Sequence, residues 1–467
     1  MLSGIEVMAQ SVASMTPTAA IAITPLLVFF SAGDGTWLAF VIAVALMGTV
    51  AYCASHFARR TNSSASLYAW AAQSLGPWAA YSTGWALALG YLFLGSVTIL
   101  AFEIYGTAFL ACYGLSSTNP LTHASLYAVG FCGPLLLAVR GIRLSARAAL
   151  VLEGTSVVII AVLCIATFVH QGSPFDHLQL SLSGVHMSGL AMGVVLAVFA
   201  TVGFESAASL GHEARHANRH VTRAILGSCV AVGLFYVVVA YASVFGFEHV
   251  KGGLGAQAAP LPALSGVVGL GWLGHAVALG IAASTFGGTI ACMNAGARML
   301  YTFGREGFAP SILARAGRVT RTPVAAICAV AIPMIAVPVA WDVAGSTPVT
   351  LTQDMGTVAT FGFMLAYVVV CIGAVKMRTG GVARRTRVAV AGLIGALGMV
   401  CVFCVNWIPQ LVSNGVFPAL TWPLWVLPYV FVGWMLAGAA WFAVVRARRD
   451  AGRVAAAVDD AAVRGSS

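Results

Sequence analysis

Residues 199–205 set Thr201, Gly203 and the ionisable Glu205 inside an apolar run long enough to span a bilayer. A carboxylate at that depth costs about 2.5 kcal/mol or more unless it faces protein or water, so Glu205 marks a functional site. The first apolar stretch carries a second interruption: Ser14, Met15, Thr16, Pro17 and Thr18. Proline lacks an N–H and clashes with the preceding turn, so Pro17 ends one half-helix and suits the first position of the next, with Thr16 as its N-cap. A plain proline kink is the alternative. A broken helix offers free N–H groups and a positive dipole end to an anion, and free carbonyls to a cation. A zwitterionic amino acid matches both. Residues 14–18 would then receive a carboxylate, and the carbonyls of Ala13, Ser14, Ala200, Thr201 and Val202 an ammonium. Gly203 would permit close backbone approach, and Phe204 or Tyr91 would either close over the substrate or pack the core.

Glu205 itself admits two compatible roles: a proton carrier that couples transport to conformation, or a cap on the second half of its helix. Glu103 and Glu153 are further coupling or gating candidates at membrane depth, each with a structural alternative as a buried hydrogen bond or ion pair. Arg147 is a candidate partner for Glu153. Ser156, Thr285 and Thr289 could line a sodium site, Thr285 and Thr289 sharing one helix face, although such hydroxyls also bond their own backbone. His212, His216 and His220 are four residues apart, but the charged segment around them reads as a solvated helix rather than a metal site. There is no convincing cluster of catalytic groups and no nucleotide-binding loop, so the sequence predicts neither an enzyme nor a cofactor beyond a coupling H+ or Na+.

The elements that must position these groups are apolar helices. With 467 residues, 60% hydrophobic and 8% charged, and a mean hydropathy of +0.92, the chain is too apolar for a soluble core. It reads as an all-α polytopic membrane protein with twelve spans near 5–32, 37–57, 78–112, 124–139, 148–169, 187–210, 224–246, 272–303, 323–341, 355–376, 388–408 and 422–445. Of the 24 basic residues only Lys251 falls on the outer side of this arrangement, which puts both termini in the cytoplasm. The net charge of +10 then reflects orientation and contact with anionic headgroups of the lipid bilayer, with no nucleic-acid partner. The first residues lack a basic n-region, so the first helix serves as its own insertion signal. The ten cysteines read as small packing residues. Residues 66–71 predict a short interfacial helix, 261–264 a short gate helix, and 446–467 a frayed tail.

The spacing of the interruptions organises the spans. Pro17 and Gly203 are 186 residues apart, and Trp78 and Trp272, at the starts of spans three and eight, are 194 apart. Each unit has five helices, so the second copy enters the membrane from the opposite side. Broken helices in corresponding positions of two such halves point to a midplane site in a secondary transporter. The boundaries are 1–169 for the first repeat, 170–378 for the second, 379–446 for two additional helices and 447–467 for a cytoplasmic tail.

Residues 199–223, the segment 294–301 with Asn294, Arg298 and Tyr301, and the run Gly304, Arg305, Glu306 and Gly307 resemble the amino acid-polyamine-organocation permeases. Residues 66–85, with Gly76, Pro77, Gly84 and Trp85, and the entry to span five at Leu144, Ser145, Ala146 and Arg147 are similar too. The resemblance implies a five-plus-five inverted repeat of the LeuT-like type, with discontinuous helices 1 and 6, in the cytoplasmic membrane. It implies transport of a small molecule, an amino acid or related amine, with contacts on residues 14–18 and 200–204. Two departures stand out: Ser14, Thr16 and Pro17 replace the glycine pair common in the first broken helix, and Ser156 falls where some proton-coupled members carry lysine. An exchanger, a polyamine or purine-type permease, a substrate-sensing receptor and a membrane-embedded enzyme are the competing readings.

Overall fold

The computed structural model describes residues 3–59, 66–111, 113–114, 120–182, 185–210, 214, 216–257, 259–317, 322–377, 382–407 and 426–465, and the regular elements among them are helical. The chain opens with α1 (Gly4–Met15), whose start is fixed by a reciprocal cap: Glu6 N–H donates to the Ser3 hydroxyl at 3.3 Å, and Ser3 N–H donates to the Glu6 carboxylate at 2.8 Å. There follow α2 (Pro17–Ala32), α3 (Thr36–Ala58), α4 (Ser66–Leu75), α5 (Pro77–Ala111), α6 (Pro120–Arg140), α7 (Ile142–His170), α8 (His177–Ser181) and α9 (Met187–Ala200). The second part comprises α10 (Ala217–Gly246), α11 (Pro260–Val267), α12 (Gly271–Arg305), α13 (Val324–Val343), α14 (Pro348–Lys376), α15 (Val382–Trp407) and α16 (Leu427–Gly465).

Eleven stretches among the described residues are long and apolar enough to cross a membrane. The first, Gly4–Ala58, holds 55 residues in α1, α2 and α3. At a rise of about 1.5 Å per residue that is far more than one crossing of a hydrocarbon layer about 30 Å thick. The short helix expected near residue 66 is α4, and the short helix expected at 261–264 is present as α11. The tail departs from expectation, because α16 continues to Gly465 instead of fraying after residue 446; this alanine-rich stretch has high intrinsic helix propensity.

Burial separates interior helices from those that face outward. In the stretch Gly189–Ala208, which contains most of α9 and the polar interruption after it, the apolar 18-residue window is 83% buried, whereas those of α6 and α16 are 22% buried. The interruption therefore sits where protein, not lipid, surrounds it, as unpaired backbone in a bilayer requires. The exposed apolar side chains of the outer helices, among them Leu136, Ile332, Leu393 and Leu436, suit a hydrocarbon solvent.

Two long interior helices, α5 and α14, pack closely enough to bring their backbones into contact. A Cβ added at Gly362 of α14 would lie 2.5 Å from the Ala86 carbonyl oxygen and 3.0 Å from the Gly90 nitrogen of α5. These are rigid helix atoms, so no side chain can rotate away to make room. Gly362→Ala should therefore push α14 off α5 and cost about 1–3 kcal/mol, read as a lowered melting temperature of the purified protein.

Candidate functional site

The first helix break is a single residue wide. Helix α1 ends at Met15 and α2 begins at Pro17, with Thr16 between them at φ 42° and ψ 58°. That left-handed geometry costs a non-glycine residue about 1–2 kcal/mol and turns the chain sharply enough to separate two helices. Thr16 occupies the N-cap position that the sequence predicts, yet its side chain makes no capping bond. Glu153 of α7 supplies the cap instead: its Oε1 accepts the Thr18 N–H at 2.9 Å and the Thr18 hydroxyl at 3.1 Å, while its Oε2 accepts the Ser284 hydroxyl of α12. Glu153 is only 3% exposed. A carboxylate at a helix N-terminus is stabilised by the dipole as well as by its hydrogen bonds. The side chain of Arg147, the expected partner, lies outside the described residues.

The second break follows α9. Both the N–H and the hydroxyl of Thr201 return to the Val198 carbonyl, at 3.0 and 2.9 Å, and close the helix. Gly203 then takes φ +105°, and a Cβ placed on it would meet the Ser14 carbonyl oxygen at 2.7 Å. Backbone conformation and contact distance each demand glycine here. Beyond it, residues Phe204–Leu210 form a 3-10 segment.

The two breaks are bonded to each other and to their neighbours. Ser11 of α1 donates to the Phe204 carbonyl, Ser206 donates to the Gln10 carbonyl at 3.3 Å, and Tyr236 of α10 donates to the Met15 carbonyl at 3.3 Å. Glu205, 1% exposed, accepts the hydroxyls of Tyr367 from α14 at 2.9 Å and Tyr91 from α5 at 3.3 Å. The Tyr367 oxygen also accepts the Gly203 N–H at 3.5 Å, and its ring stacks on Phe204 with centroids 5.5 Å apart. Glu205 thus ties the second break to both of the closely packed helices.

A cavity lies beside the breaks. Of the residues singled out from sequence, Ser14, Met15, Thr16, Ala200 and Val202 line it, whereas Pro17, Thr18, Tyr91, Thr201, Gly203 and Phe204 do not. The rest of the wall comes from Ala19, Ala20, Ile23 and Thr24 of α2, Phe199 of α9, and Leu94, Val97, Thr98 and Ala101 of α5. The α5 group was missed by sequence reasoning. Its spacing of i, i+3, i+4 and i+7 marks one helix face, but nothing in the sequence separates that face from ordinary packing.

The remaining candidates sit elsewhere. Glu103, two residues past Ala101, accepts the Thr107 hydroxyl at 3.0 Å and pairs with His123 Nδ1 at 2.6 Å. The hydroxyl of Ser156 donates to the Gly280 carbonyl at 2.6 Å, that of Thr285 to Ala282 at 2.7 Å and that of Thr289 to Thr285 at 3.0 Å. Thr289 also meets the cavity-lining Thr98 at 2.9 Å. His216 stands at the N-cap position of α10 without a side-chain capping bond, its ring 6.1 Å from that of His220, and His212 lies outside the described residues.

Eleven apolar stretches among the described residues long enough to cross a membrane, with breaks held by buried side chains beside a cavity, indicate an integral membrane protein, and its relatives make it a transporter. A profile of the amino acid permease family matches residues 2–436, nearly the whole chain. The chain belongs to that family, within the amino acid-polyamine-organocation superfamily. It is 25% identical over 377 residues to an uncharacterized transporter of Mycobacterium tuberculosis, covering 79% of this chain and 78% of the relative. A branched-chain amino acid permease of Bacillus subtilis is 22% identical over 317 residues, 63% of this chain and 64% of its own. A methylthioribose transporter of the same organism is 21% identical over 334 residues, 69% and 71% of the two chains.

The contact between the breaks gives a direct expectation. Gly203→Ala must strain the backbone by about 1–3 kcal/mol and push Ser14 away, so transport activity should fall by about ten-fold or more. Ala200→Gly, which adds no atoms to the same segment, should retain more of it; both are read as initial uptake rates at matched protein levels.

Proposed function

We propose that this protein is a secondary active transporter that carries an amino acid or related small amine across the cytoplasmic membrane by alternating access, driven by a proton or sodium gradient. The observation that carries the reading is the meeting of two helix breaks, at Thr16 and Gly203, beside one buried cavity. Broken helices at midplane are the means by which secondary transporters expose backbone groups to a substrate without exposing them to lipid. Counting Gly4–Ala58 as two crossings makes twelve spans, arranged as the two inverted five-helix repeats and two extra helices that the sequence predicts. Both termini then lie in the cytoplasm.

In this reading the substrate occupies the cavity between Ser14, Met15, Thr16, Ala200 and Val202. Glu205 is the coupling group of the second break, because its carboxylate joins α5, α14 and the backbone at Gly203, and a change in its charge alters all three contacts together. Glu153 has the corresponding position at the first break, joining α2, α7 and α12. Ser156, Thr285 and Thr289 are retained as a sodium-site alternative to proton coupling; each donates its hydroxyl hydrogen to a helix carbonyl and keeps oxygen lone pairs that could serve an ion.

The test is uptake of labelled amino acids and amines into liposomes containing the full chain, with pH and sodium gradients imposed separately. Accumulation driven by one of the two gradients is expected, and failure to take up or exchange any member of a broad panel would overturn the reading. Glu205→Gln should lower the uptake rate by about ten-fold or more while leaving substrate affinity within about three-fold. Equal loss of binding and transport would show that Glu205 shapes the cavity and does not couple it.

A further inference from the structure

The two ends of the broken site are not equally available to a zwitterion. Helix α2 should present free N–H groups at its start, but Pro17 has none, the Thr18 N–H is bound to Glu153 at 2.9 Å, and the Ala20 N–H is bound to the Thr16 carbonyl at 2.9 Å. Only the Ala19 N–H is left without an acceptor among the described residues. The acceptor side is the reverse. Ser14, Ala200 and Val202 all line the cavity, and among the described residues no N–H or hydroxyl donates to their carbonyls. The hydroxyls of Ser14 and Thr16 can add to either side, since each can donate or accept.

Charge points the same way. Among the described residues Glu153 is held by neutral donors alone, the N–H and hydroxyl of Thr18 and the hydroxyl of Ser284. Thr18, which Glu153 binds, lies two residues beyond the cavity-lining Thr16 and directly before the cavity-lining Ala19, so the carboxylate is one hydrogen bond away from the chain that forms the cavity wall. A buried carboxylate without a cation is costly, and a cation nearby relieves that cost. A substrate carboxylate brought to the same helix end would meet the ionised form of Glu153 as a like charge and find a single spare backbone donor.

We propose, building on the transporter reading, that the cavity takes a protonated amine without a free carboxylate, with Glu153 standing at the α2 N-terminus in the place an amino-acid carboxylate would occupy. The amine's N–H groups satisfy the carbonyls of Ser14, Ala200 and Val202, and its charge offsets that of Glu153. The rest of the substrate is enclosed by an apolar wall, including Ile23, Leu94 and Phe199.

The test uses pairs that differ only in the carboxylate: 3-methylbutylamine against leucine, and 1,4-diaminobutane against ornithine. Each is measured for equilibrium binding to the purified full chain and for uptake into liposomes. At least one pair should show the amine bound about ten-fold or more tightly than its amino acid. Equal or tighter binding of both amino acids overturns the proposal and leaves the transporter reading in place, whereas uptake of neither class across a broader panel overturns both. Glu153→Gln keeps the shape and an acceptor for Thr18 but removes the charge. It should cut the preference for the amine by about ten-fold, and an unchanged preference overturns the role given to Glu153. Because the wild-type comparison stands alone, poor folding of the variant does not decide the matter.

Discussion

Backbone polar groups that leave a helix inside a membrane must find partners, because hydrocarbon supplies none. At the first break of this protein the partner is Glu153, whose carboxylate holds the N–H and hydroxyl of Thr18 and the hydroxyl of Ser284. That one group lets α2 begin at membrane depth and fixes where α7 and α12 must lie. A side chain, rather than the next turn of helix, completes the backbone, so the chain can break there without exposing bare peptide groups to lipid.

The second break solves the same problem by different means. Thr201 closes its own helix, glycine allows the chain to turn against the Ser14 carbonyl, and tyrosines from two neighbouring helices bind Glu205. The close packing of α5 on α14 at Gly362 is the frame that holds Tyr91 and Tyr367 near the carboxylate. Each break is thus tied by one buried acid to helices distant in sequence. In the proposed alternation between two states, a shift at either acid would pass to the surrounding bundle through these hydrogen bonds.

The legible part of the sequence was whatever follows from composition and from the cost of polarity in an apolar setting. The hydropathy pattern set out the membrane helices, and Pro17, Gly203 and Glu205 located the breaks because each is out of place in an unbroken transmembrane helix. The short helices α4 and α11 also announced themselves. What the sequence did not disclose were contacts made across long intervals. The bond from Glu153 to Thr18 spans 135 residues, and residues 142–147 offered nearby arginines as more obvious partners. The cavity face on α5 was hidden for a different reason: Leu94, Val97 and Ala101 are ordinary membrane residues, and only the position of α2 and α9 makes them part of a wall. The tail after residue 446 was expected to fray because chain ends usually do, while its alanines favour the helix that is present.

The central claim is that both breaks face one cavity that opens in turn to the two sides of the membrane. It is tested most directly by cysteine accessibility in oriented vesicles, with Thr16→Cys, Thr98→Cys and Val202→Cys placed singly in a chain whose ten native cysteines are replaced by serine. The account predicts that a membrane-impermeant maleimide labels each position from either side, and that bound substrate slows labelling at all three. Labelling confined to one side, or three positions that respond independently to substrate, would contradict it.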